Sequence, residues 1–311
     1  MSEVEMKRIK RTISFCAAIM LLGTGFLCCD RNDTGEERQI ALTEEMPLAI
    51  SQVALPDKPV TRAALDQSKH IGFYRTSDNG YTSINNKEGQ YSSGKWIPVS
   101  GTVNLGQNTA KLAVYYPYEA TAGPTIPLSA AVCDGDESKF LCAKRFDATN
   151  QSVYKTNSIS LVLDHVYARL KITLARGSNY NANAKPDWTT LKVQNTSMRS
   201  NGTYNPLTDS YPGTSGNNYY EVTGMTGKVL GDNPTMDLRL IPCTLGGGTL
   251  DIAITVGGKL MSVTATIPDG ALARGKQYNL TITVDPTGLT MSSISTLDWT
   301  SSAVSGNYET N

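Results

Sequence analysis

A chain of 311 residues with 28 Lys and Arg against 28 Asp and Glu carries no net charge. That balance argues against a nucleic-acid partner, which needs a basic face to displace counterions. Its 2 histidines offer little material for acid–base or metal chemistry.

The first element in chain order is an export signal. With Met6 as the start, Lys7, Arg8, Lys10 and Arg11 form a basic opening. Ile13 to Leu27 follow as an uncharged stretch of about 15 residues, short of the roughly 20 needed to span a bilayer. A basic start, a short apolar run and a cysteine fit a secretory signal better than a membrane helix. The run ends in Leu27-Cys28-Cys29-Asp30, which resembles a lipoprotein signal. Residues 1–28 are then removed and Cys29 is acylated. The alternative, Cys28, would put bulky Leu27 at the cleavage position. Each acyl methylene buried in the bilayer contributes ~0.8 kcal/mol, so several chains anchor a protein without a transmembrane helix. Without residues 1–28 the chain has 24 basic and 26 acidic side chains, a net of −2.

About 280 mature residues suggest one large or two medium domains. Period-two alternation, the mark of a half-buried strand, recurs along them. Short β candidates come first: Ile71 to Tyr74, Trp96 to Val99, Lys111 to Tyr118 and Lys139 to Lys144. Val166, Ala168, Leu170, Ile172 and Leu174 then alternate with Tyr167, Arg169, Lys171 and Thr173. Arg176 to Asp187, rich in Gly, Ser, Asn and Pro, reads as a linker, and a new strand starts at Thr189. Leu250 to Val256 and Met261 to Ile267 flank Gly257-Gly258, a pair suited to a tight hairpin. Tyr278 to Val284 adds a further strand. Many short strands with polar connections predict an all-β chain of sandwiches. The expected domains are 63–177 and 178–311.

Beyond the acylated position, Cys133, Cys142 and Cys243 remain. Cys133 and Cys142 flank Asp134-Gly135-Asp136 and could pair across a hairpin, while the odd count leaves at least one thiol unpaired. Nothing points to an enzyme. His165 beside Asp164, at the start of an alternating strand, suits a structural role better than a Ser/His/Asp site, and His70 has no catalytic context. No serine elbow, phosphate loop, zinc spacing or complete calcium loop is present. No cofactor and no metal site are expected.

Four features together resemble the fimbrillin family of Bacteroidetes, the major and minor fimbrial subunits and their Mfa-like relatives. They are the lipoprotein signal ending at Cys29, Val60-Thr61-Arg62-Ala63, the strand Asp164 to Ile172, and Gly275-Lys276-Gln277-Tyr278-Asn279-Leu280-Thr281-Ile282-Thr283-Val284 followed by Ile294 and Asp298-Trp299. The resemblance implies two transthyretin-like β-sandwich domains in tandem. It implies a lipid-anchored precursor at the outer membrane that becomes a subunit of a surface fimbrium contributing to adhesion. An arginine-specific protease would cut between Arg62 and Ala63, with Arg38 a second possible site. The propeptide 29–62 would then release an N-terminal strand, and a strand from another fimbrial subunit would replace it.

Gln39 to Leu42 and Leu48 to Leu55 carry the apolar residues of that strand and are expected at the edge of the first domain. Leu289, Met291, Ile294, Leu297 and Trp299 in the C-terminal tail are the candidate donor residues; the plainer alternative is that the tail completes its own domain. The other functional reading is a surface glycan-binding β-sandwich lipoprotein. It would use exposed aromatics among Trp96, Trp188, Trp299, Tyr115-Tyr116-Pro117-Tyr118 and Tyr219-Tyr220.

Overall fold

Where the alternation is regular the chain is strand. The computed structural model is all-β, and it describes residues 44–56, 64–133, 140–156, 158–181, 186–223, 228–230 and 233–299. The first half runs β1 (Met46–Pro47), β2 (Ile50–Ala54), β3 (His70–Arg75), β4 (Ile84–Ser92), β5 (Lys95–Pro98), β6 (Asn104–Leu105), β7 (Ala110–Tyr116), β8 (Ile126–Ser129), β9 (Ala131–Val132), β10 (Cys142–Ala148), a short helix α1 (Asn150–Thr156), β11 (Ile159–Val162) and β12 (Asp164–His165). The second half runs β13 (Ala168–Arg176), β14 (Asp187–Gln194), β15 (Asn201–Asn205), β16 (Ser210–Ser215), β17 (Tyr219–Val222), β18 (Lys228–Val229), β19 (Thr235–Leu240), β20 (Cys243–Thr244), β21 (Thr249–Val256), β22 (Lys259–Thr266), β23 (Ala271–Leu272), β24 (Lys276–Asp285) and β25 (Gly288–Asp298).

Eight strands of the first half form one sheet in the order β11-β2-β5-β4-β3-β7-β10-β12. β11 and β12 lie at opposite ends of that order, yet only Leu163 separates them in sequence. One residue spans no more than ~3.6 Å, so the sheet must roll until its two ends meet. Leu163 sits at this seam, fully buried, and its N–H donates to the Ala54 carbonyl at 2.9 Å. The roll encloses Ile50, Val53, Ile71, Phe73, Trp96 and Leu112.

The second half is a sandwich. One sheet has the order β25-β24-β13-β19-β9; the other has β17-β14-β21-β22, with β18 also paired to β14. Leu170, Ile172, Leu280 and Ile282 of the first sheet share a core with Leu191, Val193, Ile252 and Ile254 of the second. A third cluster joins the two halves: Tyr74 and Tyr115 of the first pack with Tyr204, Ile241 and Trp299 of the second.

Three features depart from the sequence reading. β13 does not close the first domain. It is the middle strand of the second sandwich, parallel to β24 and antiparallel to β19, so the division falls near His165–Tyr167 and not at 177–178. Ala168, Leu170, Ile172 and Leu174 point into the core of that sandwich, while Lys171 and Thr173 lie half-buried on the other face. The stretch 126–133 of the first half also crosses over, β8 pairing with β15 and β9 with β19. That crossing removes the expected hairpin around Asp134-Gly135-Asp136. Cys133 is held by its N–H to the Asp237 carbonyl at 2.7 Å, Cys142 lies in the first half's sheet, and both are buried and outside any disulfide. Residues 134–139 are outside the described residues.

Candidate assembly site

The segment before Arg62 is built into the first half. β2 lies between β11, to which it is parallel, and β5, which it meets only at Ile50 opposite Trp96. It is therefore an interior strand and not the expected edge. Its register with β11 slips between Ile159 and Ser160, which makes Ser51 an extra residue, a bulge. The bulge shifts the phase of alternation, so Ile50 and Val53, three apart, both point into the core. Leu48, Ile50 and Val53 are 2%, 0% and 0% exposed. At ~1.5–3 kcal/mol per buried large apolar side chain, these contribute on the order of 5–9 kcal/mol gross.

Polar contacts seat the same segment. The N–H groups of Leu48, Leu65, Ile159 and Leu163 bond to the carbonyls of Val103, Val53, Ala49 and Ala54 at 2.7–2.9 Å. Asn150, buried on α1, donates through Nδ2 to the Glu44 carbonyl at 2.9 Å. The Ser51 and Ser160 hydroxyls stand 3.2 Å apart. Removing 44–54 would therefore open a slot with unpaired backbone on both sides and pockets for three apolar side chains. Arg62 and Ala63 lie outside the described residues, as do Cys28, Cys29, Arg38 and 39–42.

The candidate donor residues are on or just after β25, which is antiparallel to β24 and forms the edge of its sheet. Leu289, Met291 and Ile294 rest half-buried on their own domain's core. This strand too has a bulge: the register slips between Thr281 and Ile282, leaving Ser292 extra. Leu297 faces outward at 42% exposure. Trp299 is buried in the junction cluster. Its ring stacks on His165 at 3.7 Å, meets Phe140 at 5.5 Å and lies under the Arg169 guanidinium at 5.2 Å. The backbone N–H of Trp299 bonds to the Gly275 carbonyl at 2.7 Å. The tail thus completes its own domain in the single chain.

His165 is a structural residue. It is buried, stacked on Trp299, and its Nδ1 lies 3.4 Å from the Cys142 thiol. His70 pairs with Glu88 at the surface. All three tryptophans, Trp96, Trp188 and Trp299, are buried, as are Tyr115 and Tyr116, so none of these offers a sugar-stacking face. Tyr219 and Tyr220 are half-buried, with the Lys192 ammonium 4.1 Å above the Tyr219 ring. Among the described residues no group of three or more His, Cys, Asp or Glu is placed to hold a metal.

The fimbrillin-like family profile matches residues 60–299, and the chain belongs to that family. Among solved structures it is similar to a candidate cell adhesion protein from Bacteroides uniformis, with 17% identity and a TM-score of 0.56 over 82% of this chain and 99% of that one. It is likewise similar to a candidate cell adhesion protein from Bacteroides ovatus, with 14% identity and a TM-score of 0.53 over 82% and 98%. A fimbrial protein from Bacteroides vulgatus matches with 14% identity and a TM-score of 0.51 over 81% and 99%. At these identities the likeness is one of fold. No curated protein matches the chain by sequence.

Proposed function

We propose that this protein is a non-enzymatic structural subunit of a cell-surface fimbrium, contributing to adhesion, and that it assembles by strand exchange between copies or related subunits. Family membership supports the fimbrial role. The observation that carries the mechanism is a match of spacing. The segment to be replaced presents Leu48, Ile50 and Val53, two and then three residues apart across a bulge. β25 presents Leu289, Met291 and Ile294, two and then three apart across another bulge. A strand with this spacing can refill the vacated pockets and restore the ladder, a recognised mode of strand addition.

In this reading each half is a transthyretin-like domain. The precursor reaches the outer membrane acylated at Cys29, or at Cys28. An arginine-specific protease cuts between Arg62 and Ala63, and the released segment carries away β1 and β2. β25 has two alternative seats: its own sheet in the free subunit, and a neighbour's slot in the fibre. Leu297 and Trp299 then flank the inserted part. Gross burial of a few large apolar side chains is reduced by association and ordering costs, so persistence of the fibre rests on slow exit of the strand.

The experiment is treatment of purified precursor (30–311) with an arginine-specific protease, with the new N-terminus read by mass spectrometry and the product run unboiled on a gel. Cleavage after Arg62 with a ladder of multimers is expected, and Arg62→Ala removes both. A product cut after Arg62 that stays monomeric contradicts the mechanism.

A further inference from the structure

Strand exchange as proposed removes β1 and β2, but two residues bonded to β2 stay behind. Ala64 and Leu65 follow Arg62, so a cut after Arg62 leaves them on the body of the subunit. Ala54 and Ala64 form an antiparallel bridge, and the Leu65 N–H donates to the Val53 carbonyl at 2.7 Å. The Ala54 carbonyl accepts from the Leu163 N–H on the β11 side, while the Val53 carbonyl serves the other side. On that other side β5 meets β2 at Ile50 alone. The C-terminal end of β2 has Ala64 and Leu65 as its neighbours there.

This short stub has anchors of its own besides β2. The Leu65 side chain is buried in the core that holds Ile71 and Phe73 of β3. Asp66 closes a turn behind it, its Oδ1 accepting from the Ser68 N–H at 2.8 Å and its carbonyl from the Lys69 N–H at 3.0 Å. β3 starts at the next residue, His70. Departure of β2 therefore leaves a held backbone N–H, on a residue only 5% exposed, without its acceptor. An unpaired donor in such a place is costly, and a strand that brings a carbonyl to it is favoured over one that does not.

We infer, on the strand-exchange reading above, that Ala64 and Leu65 form a register clamp for β25 of a second copy of this chain. The Leu65 N–H donates to the Ile294 carbonyl of the incoming strand, and Ala64 faces its Ser295. The register follows from the spacing that sets Leu289, Met291 and Ile294 in the places of Leu48, Ile50 and Val53, which puts Ser295 where Ala54 was. A slip of one residue would turn the apolar set away from the core. A slip of two would put the extra residue of the donor, Ser292, out of step with the place of the extra Ser51. In its own sheet Ser295 stands opposite Asn279, so its facing residue reports which seat β25 occupies.

The test is a disulfide between subunits, made with Ala64→Cys and Ser295→Cys, both at exposed positions. The Leu65–Val53 bond flanks the Ala54–Ala64 pair and does not join it. In that arrangement facing Cα atoms lie about 4.5 Å apart, within the span of a disulfide. The precursor (30–311) carrying both changes is cut with the arginine-specific protease, oxidised, boiled and run without reductant. Multimers that survive boiling and collapse with reductant are expected, with a 64–295 linkage found by peptide mass spectrometry. Ala54→Cys with Ala64→Cys should bridge within the uncut precursor, which shows that the pair accepts a disulfide. Ala64→Cys with Thr296→Cys should give at least about tenfold less covalent multimer, since a shift of one residue points the side chain to the other face. A ladder on unboiled gels with no 64–295 bridge, or with 64–296 bridged as readily, overturns the clamp and leaves strand exchange standing. No ladder even from the cut parent chain overturns both.

Discussion

Buried tyrosines do the polar work of this molecule. Tyr74, Tyr115 and Tyr204 are 0%, 0% and 1% exposed, and each spends its hydroxyl on a specific partner: Gly123, Asn86 and Asp209. Burial, the largest influence on each, pushes their ionisation above the ordinary phenol value of about 10, and Tyr204 up to about 12. A raised folded-state pKa means that the unfolded chain loses the proton first. Stability is thus unaffected below about pH 10 and falls as pH rises from there through about 12 and beyond. Urea midpoints measured from about pH 9 to about pH 12 should fall, with phenolate absorbance appearing together with unfolding. Phenolate that titrates fully in the folded protein near the ordinary value would contradict this.

These roles were only half legible in the sequence. Tyr115-Tyr116-Pro117-Tyr118 stands out, but the sequence does not say that the first two tyrosines are core and the third packs half-buried against the junction cluster. That depends on Gly72, forty-three positions upstream, clearing space for one ring. His165, by contrast, was readable as structural from its place at a strand start.

At the scale of elements, the regular strands were the legible ones. β3, β5, β7, β14, β21, β22 and β24 all fall where apolar residues alternate. β4, with the sequence INNKEGQYS, and β16, with SYPGTS, carry no such pattern, because pairing with neighbours and not burial makes them strands. The two bulges were also hidden. An apolar residue three positions after another breaks a period of two, and only the register shows that Ile50 with Val53, and Met291 with Ile294, share a face. The match between those two strands leads to a prediction. Met291 is half-buried, so Met291→Asp should lower monomer stability by about 1–3 kcal/mol, seen as a shifted denaturation midpoint. The same change should abolish the multimer ladder after protease treatment, since the spacing puts residue 291 at the fully buried position of Ile50, where a carboxylate would be unpaired. A ladder of normal length from this variant would remove β25 as the donor.

At the scale of the whole molecule, the sequence reading ends the first domain at 177, whereas β13 pairs with β19 and β24 of the second sandwich. Arg176 to Asp187 reads as a linker, yet β13 before it and β14 after it belong to the two sheets of the second sandwich, and the Gly177 N–H bonds to the Val284 carbonyl at 2.8 Å. The true junction is tight and strand-like, which composition does not flag. Arg274 braces it, donating to the carbonyls of His165 at 2.9 Å and Ala143 at 3.2 Å while pairing with Asp209. The stretch 126–133 ties the halves again by pairing in the second sandwich's sheets.

Strand exchange requires β2 to leave this slot so that another strand can enter. A double variant, Ser51→Cys with Ser160→Cys, places two thiols where hydroxyls now stand 3.2 Å apart. Under oxidising conditions the bridge pins β2 to β11. Protease should then still cut after Arg62, no multimer ladder should form, and adding reductant should restore it. A ladder that forms equally well with the bridge intact would contradict the account.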